Sequence, residues 1–134
     1  MRLQLALNVS NLEESIPFYQ KMLGVSVHKR EPGYANFVVD DPALKLVLFE
    51  SRDAVDKLNH LGVEVFDDAD VAAAGERWQA NGLEPSQMGE EVCCYAKQNK
   101  VKTFDPDGTM WEWYRVIEDA PAQTETRACG SGCC

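Results

Sequence analysis

The sequence predicts an α+β fold built from two copies of one βαβββ module, and three observations carry this prediction. Residues 4–9 lie over residues 60–65 at an offset of 56, with a similar alternation of side chains. Asp41-Pro42 lies over Asp105-Pro106 at an offset of 64. The order strand, helix, three strands recurs in both halves. One module alone would leave an apolar sheet face uncovered, so we expect the two modules to share one core.

The first module, residues 1–52, begins with a strand over residues 3–9, where leucine and valine alternate with polar or small residues. The helix that follows has Asn11 as a suitable N-cap, glutamates in its first turn and Gly24 as a suitable C′ residue. Turns that contain proline separate three further strands. These strands are expected over residues 25–30, 34–39 and 44–50.

The second module, residues 53–117, repeats this order with a strand over residues 58–66 and an alanine-rich helix over residues 69–80. Asp67-Asp68 opens this helix and Asn81-Gly82 closes it. Three more strands are expected over residues 91–97, 100–104 and 111–116. The remaining residues, 118–134, lack a periodic pattern and are expected to form a flexible tail.

Composition and charge narrow the class of protein. With 134 residues, of which 45% are hydrophobic, the chain is long enough to bury a core. A formal net charge of −9 argues against nucleic acid and anionic membrane as partners, because both require a basic surface. No apolar run approaches the ~20 residues of a membrane helix and no signal peptide is recognisable, so a cytoplasmic protein is expected. A homodimer is left open.

The five cysteines are unusually placed. Cys93 and Cys94 are adjacent, whereas Cys129, Cys133 and Cys134 lie within the last six residues. An odd number of cysteines without an export signal does not resemble a disulfide framework, so free thiols are expected. Thiolates are soft donors that favour thiophilic centres. Delivery of such ions by the three cysteines of the tail, or no role for them, both stay open.

Several segments occur in an order and spacing typical of a known family. They are residues 11–19, Leu23-Gly24, residues 60–63 and residues 105–112. On these segments, residues 1 to about 117 resemble the glyoxalase, bleomycin-resistance and dioxygenase superfamily, also called the vicinal oxygen chelate superfamily. The resemblance implies a cup-shaped mixed sheet. It also implies a metal ion inside the cup, held by inward-facing residues on the first and last strand of each module.

Carried over by position, the ligand places of this family are Gln4, Leu48, His60 and Glu112. Leu48 cannot bind a metal, so an amide oxygen, an imidazole and a carboxylate remain. Such a three-ligand face leaves positions open for substrate or O2, as in non-haem Fe(II) oxygenases. In a crystal, Ni, Co or Zn could replace the iron. Each residue singly is more often structural than a ligand, but together on these places they favour a metal site.

A narrower resemblance rests on five segments. They are residues 3–9, 32–37, 44–48 and 58–65, and Cys93-Cys94-Tyr95-Ala96. These segments are similar to the carbon–arsenic lyases and to the cadmium-inducible proteins. The lyases are Fe(II)-dependent dioxygenases that cleave the C–As bond of small trivalent organoarsenicals such as methylarsenite. Aromatic arsenicals belong to the same expected substrate class.

This resemblance implies a division of roles. Cys93 and Cys94 would bind the arsenic as a dithiolate. Fe(II) on Gln4, His60 and Glu112 would bind O2, with His60 and Glu112 as the catalytic residues. Activated oxygen would then attack the arsenical and release arsenite with an oxidised carbon fragment, an aldehyde in the case of a methyl group.

The adjacency of Cys93 and Cys94 imposes a geometric condition. Neighbouring residues of a regular strand point to opposite faces, so the pair could not bind one arsenic atom there. We therefore expect the pair on a loop, a bulge or a strand end, within a mobile segment over residues 89–98 that closes over the site. The nearby lysines could lower the pKa of the thiols or could simply be solvated. These are Lys97, Lys100 and Lys102.

Three other functions stay open. A thiol protein could sequester cadmium or arsenic without turnover, which the cysteine content and the unusual Gln4 favour. A glyoxalase or epimerase could use the same cup, although Leu48 at the fourth ligand place argues against it. A metal-free drug-sequestering protein is disfavoured by His60 together with Glu112.

Overall fold

The computed structural model describes residues 1–93 and 95–119, which form eight strands and two helices. In chain order they are β1 (Arg2–Val9), α1 (Leu12–Leu23), β2 (Lys29–Glu31), β3 (Tyr34–Val39), β4 (Leu44–Glu50), β5 (Leu58–Glu64), α2 (Asp68–Ala80), β6 (Gln87–Cys93), β7 (Ala96–Phe104) and β8 (Met110–Asp119). The order strand, helix, three strands therefore occurs twice, and the predicted fold class is confirmed.

All eight strands belong to one mixed sheet with the order β2-β3-β4-β1-β5-β8-β7-β6. The two halves join where β1 pairs antiparallel with β5, and each of these central strands pairs in parallel with the last strand of its own half. The sheet is curled. Tyr34 on β3 and Tyr95 beside β7 lie far apart in the strand order, yet their ring centroids are only 6.0 Å apart.

The helices cover the outer, apolar face of the sheet. Asn11 accepts a hydrogen bond from the N–H of Glu13, and Gly24 ends α1 in the left-handed conformation with φ of 72°, as predicted. Buried residues of α1 pack on β3 and β4, and α2 packs equivalently on the second half. Because side chains alternate along each strand, the opposite set of residues lines the inside of the cup.

Several strand limits differ from the predicted ones. The predicted strands 91–97 and 100–104 place a turn at residues 98–99, but the structure pairs Cys93 with Ala96, so β6 ends at Cys93 and β7 begins at Ala96. Tyr95 adopts a positive φ of 62° there. The polar run from residue 97 to 100 resembles a turn, but its alternate members Gln98 and Lys100 are buried inside the cup. In addition, β2 is confined to Lys29–Glu31 and β8 extends to Asp119.

No helix within residues 1–93 and 95–119 is long and apolar enough to cross a membrane. Cys94 and most of the expected tail, including Cys129, Cys133 and Cys134, lie outside the described residues.

Candidate metal centre

The three polar residues predicted to bind a metal meet at the centre of the cup. Gln4, His60 and Glu112 come from the adjacent strands β1, β5 and β8, and none of them is more than 4% exposed. Gln4 Nε2 lies 3.1 Å from His60 Nε2 and 2.9 Å from Glu112 Oε1. His60 Nε2 lies 3.3 Å from Glu112 Oε1. Three side chains that are far apart in sequence therefore present one compact triangle of polar atoms.

The dimensions of this triangle suit a divalent metal ion. Nitrogen and oxygen ligands bind such ions at about 2.1 Å, and two ligands at right angles are then about 3.0 Å apart. The Gln4 amide has its nitrogen toward the triangle, while its oxygen accepts a hydrogen bond from the Tyr114 hydroxyl. Amide nitrogen and oxygen are nearly equal in size, so a half-turn of the amide presents the oxygen instead. The donor set fits a metal ion.

A chain of amides fixes the tautomer of His60. Asn8 Nδ2 donates to the backbone carbonyl of Asp56, so Asn8 Oδ1 is turned toward Asn59 and accepts from its Nδ2. Asn59 Oδ1 is then left facing His60 Nδ1 at 2.7 Å. Because an amide oxygen only accepts, Nδ1 carries the proton and Nε2 offers a lone pair to the centre. Sequence reasoning missed both asparagines, although Asn59 directly precedes His60.

Glu112 is ionised although it is fully buried. Burial opposes its charge, but the pKa of Glu112 is lowered to about 2, chiefly by Lys100, which lies 3.2 Å from Oε2, and also by the hydrogen bond that Gln4 Nε2 donates to Oε1. Lys100 is itself buried and also lies 3.3 Å from Glu91. Lys100 is thus paired with carboxylates rather than solvated, whereas Lys97 forms an exposed pair with Glu90.

Gly62 allows the strands of the centre to approach one another. A Cβ atom at this position would lie 2.8 Å from Glu112 Cγ and 2.8 Å from the Glu112 carbonyl oxygen. Any larger residue at position 62 would therefore displace Glu112. A glycine inside a strand is the sequence signal for such a close approach.

The prediction that Leu48 occupies a ligand place was wrong. Leu48 is buried under α1 on the outer face, whereas Val47 and Phe49 face the cup. The register shows why. Ala6 on β1 pairs with Val47 on β4, and its repeat counterpart Gly62 on β5 pairs with Glu112 on β8. Glu112 therefore corresponds to Val47, at an offset of 65 residues, rather than to Leu48, at an offset of 64. One extra residue in the turn before β8 causes the slip. The place is still unable to bind a metal, because valine has no donor atom.

Cys93 lies inside the same cup, at the end of β6. It is fully buried in a cluster with Ala6, Tyr34, Val47 and Phe49. The Phe49 ring is 6.2 Å from that of His60, so the cysteine and the metal centre share a neighbour. Cys93 is disulfide-bonded, contrary to the expected free thiol. It must therefore be reduced before its sulfur could bind arsenic. Cys93 thus lies at a strand end, whereas Cys94, the other member of the expected pair, lies outside the described residues.

The tip of the β6–β7 hairpin reaches across the mouth of the cup. Lys29 Nζ on β2 donates to the backbone carbonyl of Tyr95 at 2.7 Å and to the carboxylate of Asp119. The Tyr95 ring packs against Tyr34, and its hydroxyl lies 3.4 Å from the Pro32 carbonyl. Lys29 therefore connects β2, at one edge of the sheet, to the tip of the β6–β7 hairpin at the other edge.

Beside these residues is a cavity of about 350 Å³. Its wall includes residues from both halves, and His28, which falls on no ligand place, is among them. The lining residues are Arg2, His28, Lys29, Tyr34, Asn36, Val38, Lys45, Glu64, Phe66, Ala96, Gln98, Arg115, Val116 and Asp119. This cavity is large enough for a small organic molecule. In the described part of the chain, no three His, Cys, Asp or Glu side chains cluster as a metal site, so the amide of Gln4 is essential to the candidate centre.

Comparison with known proteins gives a consistent picture. A family model for the Glyoxalase/Bleomycin resistance protein/Dioxygenase superfamily matches residues 3–113. The chain is 47% identical over 135 residues to a trivalent organoarsenical cleaving enzyme of Thermomonospora curvata, covering 99% of this chain and 87% of the relative. It is 45% identical over 119 residues to the cadmium-induced protein CadI of Mycobacterium bovis, covering 89% and 78%.

Among solved structures, the Mn(II)-bound glyoxalase from Novosphingobium aromaticivorans matches with a TM-score of 0.62. The sequence identity is 15%, and the match covers 94% of this chain and 42% of that protein. At this identity the likeness concerns the fold alone.

Proposed function

Because the chain belongs to the glyoxalase, bleomycin resistance protein and dioxygenase superfamily, we propose that it cleaves the carbon–arsenic bond of trivalent organoarsenicals. Methylarsenite and aromatic arsenicals are the proposed substrates. The observation that carries the proposal is the meeting of Gln4, His60 and Glu112 in the cup that also buries Cys93. The 47% identity to an organoarsenical cleaving enzyme supports it.

The proposed cofactor is Fe(II), held by the Gln4 amide oxygen, His60 Nε2 and the Glu112 carboxylate. When bound, it would supply the activation of O2 that the side chains cannot perform. The protein contributes an imidazole of fixed tautomer, a carboxylate kept ionised by Lys100 and a pocket closed to bulk water. For methylarsenite the balance is one substrate and one O2 giving one arsenite and one formaldehyde.

The thiols would supply recognition of arsenic. Reduced Cys93, together with Cys94, would displace the two hydroxyl groups of the arsenical as water and form two S–As bonds. The position of Cys93 supports this role, because it ends β6 and is buried against Phe49, whose ring is 6.2 Å from that of His60. Its backbone carbonyl is held by Gln98 Nε2 at 3.2 Å, which restrains the strand end.

The test is anaerobic loading of the reduced protein with Fe(II), followed by methylarsenite with or without O2 and measurement of arsenite. We expect arsenite only when Fe(II) and O2 are both present. His60→Ala, Glu112→Ala, Cys93→Ser and Cys94→Ser should lower its release to background. Asn81→Ala, which removes an amide that bonds the end of α2, should retain activity. Release of arsenite by His60→Ala, or without O2, would overturn the mechanism.

A second candidate is sequestration of cadmium or arsenic by the thiols without turnover. The 45% identity to a cadmium-induced protein favours it. It predicts stoichiometric binding of methylarsenite or Cd²⁺ to the reduced protein, and no arsenite under any condition. A glyoxalase-like reaction is less well supported, because the residues of β4 that face the cup offer no carboxylate or imidazole at Val47 or Phe49.

A further inference from the structure

The cavity beside the metal centre contains two buried amide side chains that are only half satisfied. Asn36 on β3 and Gln98 on β7 are 3% and 5% exposed, and both line the cavity. Within the described residues, Asn36 Oδ1 and Gln98 Oε1 have no hydrogen-bond partner. Buried polar atoms are normally paired, and the exceptions often mark functional sites.

The orientation of Gln98 is fixed by the fold. Its Nε2 donates to the backbone carbonyl of Cys93, which can only accept, so the oxygen is the atom left without a partner. Asn36 is held from the other wall, where its Nδ2 bonds the Tyr34 hydroxyl. The cavity wall therefore carries a hydrogen-bond acceptor at Gln98 and a second amide across from it.

The charged side chains of the same wall have partners. Glu64 pairs with both Arg2 and Lys45, Asp119 pairs with Lys29, and Arg115 lies 3.7 Å from Asp68, which is outside the cavity wall. The amide oxygens of Asn36 and Gln98 are consequently the buried polar atoms of the wall that a ligand could satisfy. Because they are acceptors, the matching ligand group is a donor, an O–H or an N–H.

The cavity adjoins the proposed arsenic-binding position. Ala96, the partner of Cys93 in the hairpin, lines it, and Tyr34 both lines it and packs in the cluster of Cys93. An arsenic atom on the Cys93 sulfur would leave its organic group beside this space. A methyl group would not fill about 350 Å³.

Resting on the proposed function, we propose that this cavity is the subsite for the organic group. We infer that it selects organic groups that carry a hydrogen-bond donor, which Gln98 Oε1 accepts. An unsubstituted ring that displaces water from the cavity does not replace the hydrogen bond of that water to the amide, whereas a phenolic or amino group replaces it. The subsite thus discriminates between arsenicals with the same reacting bond.

The experiment measures the affinity of the reduced, iron-free protein for phenylarsenite and for its 3-hydroxy and 4-hydroxy derivatives by calorimetry. At least one hydroxyl derivative should bind about threefold to tenfold more tightly than phenylarsenite, the effect of one net hydrogen bond. Gln98→Leu should abolish this preference while keeping the affinity for phenylarsenite. Asn99→Ala is the matched control, because this amide lies on the same strand and bonds Asp68 outside the cup. It should retain the preference.

The outcomes separate the two proposals. If phenylarsenite binds but neither derivative is preferred, or the preference survives Gln98→Leu, the subsite is wrong and the proposed function stands. If none of the three arsenicals binds the reduced protein, both fail. Should Gln98→Leu not fold, Gln98→Met repeats the comparison, because it keeps an unbranched side chain of similar length but removes the amide oxygen, and its loss of preference carries the same meaning.

Discussion

The imidazole of His60 is set by neutral amides rather than by a charged partner. The backbone carbonyl of Asp56 orients the amide of Asn8, which orients the amide of Asn59. The Asn59 oxygen then accepts a hydrogen bond from His60 Nδ1, so Nε2 faces Gln4 and Glu112 without a proton. A carboxylate in place of Asn59 would make the ring more basic. The amide of Asn59 fixes the orientation of the imidazole without making it more basic. Lys100 is then the principal charged neighbour of Glu112.

Substitution of Asn59 tests this relay. Asn59→Ala should weaken the binding of a divalent metal by about 10- to 100-fold, because the tautomer and orientation of His60 are no longer fixed. Titration with Co(II), followed by its visible absorption, measures the affinity. Asn81→Ala removes an amide that bonds only the end of α2, and its affinity should equal that of the unsubstituted protein. Equal affinities for all three proteins would contradict the relay.

At the scale of secondary structure, the β6–β7 hairpin carries both Cys93 and the closure of the cup. Its tip is attached to the first half through Lys29 and the packing of Tyr95 on Tyr34. The expected mobile segment at residues 89–98 is therefore a hairpin with defined strand pairs. Motion at its tip would require the hydrogen bonds of Lys29 to break.

Substitution of Lys29 should loosen this tip. In Lys29→Met, amide hydrogens at the ends of β6 and β7 should exchange about two- to tenfold faster, since one net hydrogen bond to the tip is lost. Hydrogen exchange read by mass spectrometry measures the effect on peptides spanning residues 90–98. Lys21→Met on the exposed face of α1 serves as the control. An unchanged exchange rate in Lys29→Met would show that the packing of Tyr95 alone holds the tip.

The elements that could be predicted are those with a local signal. Both helices have their caps in the sequence, and the repeat located Gln4 and His60 at equivalent places. The last strand of each half could not be aligned in this way, because one extra residue before β8 reverses which neighbours face the cup, so the offset of 64 points to Leu48 instead of Val47. The Asn8–Asn59 contact depends on how β1 and β5 pair, which no local pattern encodes.

At the scale of the whole molecule, the sheet has two different faces. The outer face is apolar and packs on the helices, while the cup interior buries polar residues. These are Gln4, Asn36, His60, Glu64, Gln98, Lys100, Lys102 and Glu112. Burial also affects Tyr34 in this interior: it raises the pKa of the phenol to about 12, outweighing the hydrogen bond from Asn36 that lowers it.

The raised pKa of Tyr34 makes stability fall at high pH. Below pH 10 both states hold the proton and the full stability is present. Between about pH 10 and 12 the unfolded chain ionises first, so the free energy of unfolding falls, by about 2–3 kcal/mol at pH 12. Tyr34→Phe lacks this loss. Urea unfolding at pH 8 and pH 11.5 should therefore show a smaller decline for the variant, and parallel declines would contradict the expected ionisation.

The pairing of β1 with β5 makes the molecule pseudosymmetric. Leu5 pairs with Leu61, its own counterpart at the offset of 56, so a twofold rotation about this pair relates the two halves. Gln4 and His60 exchange under that rotation.

The same rotation takes Glu112 to Val47, so three quadrants of a fourfold arrangement carry donors and one does not. Val47 belongs to the packed cluster that buries Cys93. The quadrant without a donor is therefore the one beside Cys93. The pseudosymmetric frame is therefore directional at its centre, because three of its sides carry donor atoms and the fourth faces the buried sulfur of Cys93.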